Sequence, residues 1–266
     1  MQLEVNYRRK LYWGYFILMI SYYIKRWFAF GWRSFKQTAM PSCLFSSIFL
    51  AIAIALFVSL HLLNADLVIY PFVAGFFLVA PLLIIGFQRV GHKLKTGKTP
   101  TLKDFFVNDG ERNPGIWFAV FILSFCYFIW ITDALVIYGL YFGLEPIPAT
   151  EQIFTDPVYR GKLFDYLFYS ALMGLVTAII GFLLGVFSIP LMVHEQTQFV
   201  EAVHISLKTV MKHKMLMAVW ASLLVIITTF TLVLALPFLI VVFPVLGFAS
   251  YAVYDDLIVH PVSSKS

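Results

Sequence analysis

Six uninterrupted apolar runs, each about as long as a bilayer is thick, constrain this chain more than any motif in it. They lie at Pro41–Leu63, Leu67–Arg89, Gly115–Tyr141, Phe164–His194, Lys214–Ala235 and Leu236–Asp256. A helix of ~20 apolar residues spans the hydrocarbon layer. Backbone groups in lipid must be satisfied within the segment, so spanning pieces are helices or closed barrels. The runs lack the alternation a barrel strand needs. The chain is 61% hydrophobic and 12% charged, against ~25% charged in soluble domains. A soluble core of this size could not hide that surface. The expected fold is an all-α, polytopic membrane helix bundle.

Charge placement orients it. Seventeen of the nineteen lysines and arginines fall before the first run, after the second, after the fourth or at the C-terminus. Arg160 and Lys162 alone fall on the other side. Positive-inside bias then places both termini in the cytoplasm, in a multi-pass protein of the cytoplasmic membrane. The net charge of +5 serves this orientation and gives no reason to expect a nucleic-acid partner. Residues 1–26 contain LYWGYFILMISYYI, 14 apolar residues flanked by cations. At ~1.5 Å per residue this is short of a span. It reads as an interfacial segment or an extension, ahead of a six-helix membrane domain at 27–257 and a cytoplasmic tail at 258–266.

A longer period runs through the chain. Each pair of runs follows a short amphipathic stretch: WFAFGWRSFKQTAM, TLKDFFV and TQFVEAVHISLKTVMKH. In the third, Phe199, Val203, Leu207 and Val210 form one stripe, with Glu201, His204, Lys208 and Lys212 opposite. Such helices lie at the headgroup level, cations toward anionic lipid. Arg33, Lys36, Lys208 and Lys212 are the cations expected to touch that surface. In the second stretch Thr101 and Asp104 stand at capping-box spacing. The second run of each pair carries a proline before its exit, Pro81, Pro190 and Pro244, which bends a helix for packing or for motion. Pro237 falls in or just after the turn joining the last two runs. The architecture expected is therefore three repeats of surface helix plus transmembrane hairpin.

Several ordered motifs resemble a known family. FGWRSF (30–35), AGFFLVAPLLIIGF (74–87), HKLKTGKTPTLKDFF (92–106), SIPLMVHEQTQFVEAVHISLKTVMKH (188–213) and FPVLGFASYAVYDDL (243–257) are similar to an uncharacterised bacterial family. It is the integral membrane family of domain of unknown function 2189, sometimes labelled cytochrome c oxidase subunit I-like. The resemblance implies a six-helix inner-membrane protein without an assigned activity. The oxidase label conflicts with the residues, because haem and copper are held by a set of histidines. Only His61 and His194 fall inside the runs, both near ends.

Candidate site residues are few. Asp133 is the one acidic residue well inside a run, and burying an ionisable group there costs ~2.5–3.5 kcal/mol on insertion scales. It is a binding candidate or a hydrogen-bonded structural residue; His61 is a binding candidate or an interfacial one. Ala171, Gly174, Ala178, Gly181, Gly185 and Ser188 form a small-residue stripe spaced 3, 4, 3, 4, 3. Small residues let helices approach closely in lipid, so the stripe is a packing seam, a pore lining or a partner contact. Cys43 and Cys126 lie in apolar runs outside any CxxC or Cys/His pattern, and neither a metal nor another cofactor is implied. No P-loop, GxSxG or HExxH is present.

The expected function is therefore non-enzymatic: an accessory or scaffold component binding anionic lipid and other membrane proteins. The alternative is a transporter or channel for a small or lipophilic solute. A redox subunit fits least.

Overall fold

The computed structural model describes residues 2–63, 85–106, 113–143 and 156–260. Among these the chain is mostly helical, without strands. The helices are α1 Gln2–Gln37, α2 Ala39–Leu62, α3 Ile85–Lys95, α4 Pro114–Phe142 and α5 Pro157–Gly185. They continue as α6 Ser188–His194, α7 Phe199–Lys212, α8 Lys214–Leu234 and α9 Leu239–Tyr254. Short 3-10 turns cover Leu102–Phe105 and Leu236–Phe238, and α9 ends in a π turn at Asp255–Val259.

Five segments are long and apolar enough to cross a bilayer: Ala39–Leu62, Pro114–Phe142, Pro157–His194, Lys214–Leu234 and Leu236–Val259. They correspond to the first, third, fourth, fifth and sixth runs. Most of the second run, with Pro81, lies outside the described residues, which begin again at α3. The sharp starts of α4 and α5 have one local cause. Asn113 and Asp156 accept hydrogen bonds from the Gly115 and Val158 amides at 2.9 and 2.8 Å, with proline at the next position. An Asx cap satisfies an orphan N–H, and proline loses nothing at the first helical position. This pair of signals starts α5 at Pro157, seven residues before the apolar run. Pro237 sits in the 3-10 turn between α8 and α9.

The three amphipathic stretches differ from one another. In the second, the described residues form a 3-10 turn at Leu102–Phe105. Its capping box forms, with Asp104 Oδ2 accepting from the Thr101 amide at 2.7 Å. Burial works against the charge on Asp104, but the Lys93 ammonium at 2.6 Å and the Thr101 donors outweigh it and hold the carboxyl below the usual range. In the first, α1 runs unbroken across position 26 and packs antiparallel along α9. Trp27 meets Asp256, Gly31 meets Val245 and Ala249, and Phe35 shares an apolar cluster with Leu239 and Phe243.

The core sits at one end of the spans. Its main cluster joins Trp27, the start of α4 (Ala119, Leu123), Phe187–Val193, α7, Trp220 at the start of α8, and residues 249–257 of α9. Only 11–28% of the most apolar window in the first four candidate spans is buried, against 56% in the last. Surface that apolar is stable only against lipid or another protein, whereas α9 packs against α1, α2, α3 and α8.

Candidate functional site at the polar end of the bundle

At that same end the polar side chains converge. The contributing helices are α1, α3, α6 and α9. Trp27 is fully buried, and its indole Nε1 donates to Asp256 Oδ2 at 2.9 Å. Arg26 pairs with Asp256 Oδ1 at 2.9 Å. The neighbouring Asp255 pairs with Lys95 and with His260, the latter at 3.4 Å. Both aspartates are buried, and a buried carboxylate requires such partners. A cleft of about 80 Å³ opens among Arg26, Phe30, Lys95, Tyr251, Asp255 and Asp256. That holds a few waters, far from the ~300–1,000 Å³ of a small-molecule pocket.

Beside this ionic group stands an aromatic one. The His194 ring is stacked between His92 at 4.9 Å and Tyr254 at 5.6 Å, with Tyr251 edge-on at 5.8 Å. The Tyr251 hydroxyl lies 3.3 Å from His92 Nδ1, and the Tyr254 hydroxyl donates to Glu195 Oε1 at 3.3 Å. Asn113, besides capping α4, donates to the Met192 and Thr197 carbonyls at 3.3 and 2.8 Å. It thereby fixes the turn after α6, where Gln196 takes a left-handed φ of 52°. Among the described residues there is no cluster of three or more metal-ligating side chains.

The sequence candidates lie elsewhere. Asp133 is half-buried about two thirds of the way along α4, and His61 is exposed in the last turn of α2. Arg33, Lys36, Lys208 and Lys212 are all exposed, with the Lys36 ammonium 5.2 Å from the Trp32 ring. Of the small-residue stripe, Gly181, Gly185 and Ser188 are buried, Gly174 and Ala178 half-buried, and Ala171 exposed. Gly174 meets α4: a Cβ there would fall 2.7 Å from the Trp130 Nε1, which donates to the Ser170 carbonyl at 3.2 Å. Leucine at Gly174 should therefore push the indole off that carbonyl and cost ~1–3 kcal/mol by overpacking. Leu183→Met, a volume-conserving change on the same helix, should stay near wild type. Thermal unfolding in detergent compares them, and a Gly174→Leu protein as stable as wild type would show that this face is open.

The residues at the polar end were not singled out by the sequence. The signal available was the adjacent acids Asp255 and Asp256 closing an apolar run, together with a tryptophan preceded by two cations.

A chain whose described residues are mostly helical, with five bilayer-length apolar segments, is an integral membrane protein. Residues 69–194 match the model of the family described as predicted integral membrane protein (DUF2189), the family its motifs resemble. Searches of the curated proteins and of the solved structures find no match.

Proposed function

We propose that the protein is a non-enzymatic component of the bacterial cytoplasmic membrane that binds anionic lipid and other membrane proteins as an accessory or scaffold. In this reading it crosses six times, as three repeats, with both termini in the cytoplasm. The observation that carries it is the three-faced surface of α7. Ala202, Ser206 and Val210 are buried against the bundle, where the Ser206 hydroxyl donates to the Leu183 carbonyl at 2.8 Å. Val200, Leu207 and Met211 form an exposed apolar stripe. Glu201, Lys208 and Lys212 occupy the exposed face beyond them. This supports a protein-facing stripe one step around the helix from the periodicity of Phe199, Val203, Leu207 and Val210. An apolar stripe beside lysines suits insertion at the headgroup boundary.

His204 lies between the stripe and the lysines and is exposed. In nanodiscs rich in anionic lipid it should react with diethylpyrocarbonate more slowly than in zwitterionic ones. Lys208→Glu with Lys212→Glu should remove that shielding, at ~1 kcal/mol, about fivefold, per cation near the surface. Equal labelling in both lipids, or in both proteins, would assign the exposed face of α7 to something other than anionic lipid.

A further inference from the structure

The polar end has more cations than its described carboxylates serve. Asp104 pairs with Lys93, Asp255 with Lys95 and His260, Asp256 with Arg26, and Glu195 accepts from Tyr254. Arg89 pairs with none of them, and its Nε is buried without a hydrogen-bond partner. His194 Nε2 is in the same condition. His92 joins the two, because its ring stacks on His194 at 4.9 Å. Arg89 and His92 stand three residues apart on α3, hence on one face, and His92 is exposed while stacked on His194. Arg89, His92 and His194 together carry several nitrogen donors, and among the described residues none of the three pairs with a carboxylate. A half-buried cation without a counter-ion carries a desolvation cost, and a phosphate can pair with a guanidinium fork through two oxygens.

We propose that Arg89, His92 and His194 bind a phosphate group. α3 and α6 leave the second and fourth apolar runs here, which is headgroup level, so a phosphodiester of an anionic lipid can reach the site from the bilayer. Free phosphate has the same chemistry. The site rests on the membrane placement proposed above but not on the lipid-facing stripe of α7.

The test uses the full chain, purified in neutral detergent and stripped of lipid. Inorganic phosphate and short-chain phosphatidylglycerol are titrated separately while diethylpyrocarbonate labelling of His92 is followed by peptide mass spectrometry. His92 should be protected, with the exposed His61, in the last turn of α2, as the unprotected reference. Protection by both reagents identifies the phosphate itself as the ligand, and protection by the lipid alone identifies the headgroup; either supports the site. Arg89→Gln should raise the half-protecting concentration about tenfold or more, as loss of a charge-assisted fork requires. Lys208→Glu with Lys212→Glu should leave it unchanged, which separates this site from the α7 surface. Should Arg89→Gln not fold, Arg89→Lys, which keeps the charge and loses the fork, takes its place. No protection of His92 in the wild type by either reagent overturns the proposal, as does equal protection in the Arg89 variant.

Discussion

Gly31→Ala is expected to lower the thermal midpoint of the protein in detergent by about 5 °C or more, for the addition of one methyl group. A Cβ built on Gly31 would stand 2.5 Å from the Val245 carbonyl oxygen and 3.2 Å from the Ala249 Cβ. The first obstacle is backbone inside α9, which cannot step aside as the end of a flexible side chain can. The helices must therefore separate, loosening Trp27 on Asp256 and Phe35 on its cluster with Leu239 and Phe243. Overpacking costs ~1–3 kcal/mol, and the upper half of that range applies to a rigid obstacle. In a chain of this size 1 kcal/mol corresponds to about 2–4 °C. Gly139→Ala is the control: it lies in α4 with nothing within 4 Å of its new Cβ. Alanine gains up to ~1 kcal/mol over glycine in a helix interior, so that variant should match or exceed wild type. Equal midpoints for the two variants would mean that α1 is not seated on α9.

The close approach at Gly31 shows what a single sequence carries and what it does not. Apolar length located the ends of five helices to within a few residues, because leaving the hydrocarbon is decided locally. It missed the start of α5, where Asp156 and Pro157 outrank hydropathy. The surface stretch around Trp27 has a helical apolar stripe that lipid or a partner helix could equally cover. Its cover is α9, more than two hundred residues away, and periodicity holds no information on that choice. The small-residue stripe was readable as a stripe. That Gly174 meets Trp130 while Ala171 faces outward depends on how α4 crosses α5. The polar end was the least legible part. Each of its residues is ordinary alone, and only the convergence of α1, α3, α6 and α9 makes a buried network of them.

Within that network Asp256 should be the side chain whose removal costs most. It is 3% exposed, and both its oxygens are engaged, one by the Trp27 indole and one by the Arg26 guanidinium. Asp256→Ala leaves the Trp27 N–H buried with no acceptor, a penalty of ~1–3 kcal/mol. Arg26 fares better, since its side chain is 48% exposed and can turn to water, so its half of the loss is screened. The sum expected is ~2–4 kcal/mol, below the ~3–5 kcal/mol of a fully buried pair broken on one side. Asp256→Asn keeps an acceptor for Trp27 and removes the charge, so it should cost ~1 kcal/mol. Trp27→Phe removes the donor and leaves Asp256 paired with Arg26, and should fall between the two. The double variant Trp27→Phe with Asp256→Ala separates the indole bond from everything else Asp256 does, because contacting residues in one network are not additive. Its loss should be smaller than the sum of the single losses by ~1 kcal/mol, the worth of the indole–carboxylate bond. Strict additivity in thermal unfolding would mean that Trp27 and Asp256 act independently, and that the Arg26 pair and apolar contact hold α1 to the end of α9.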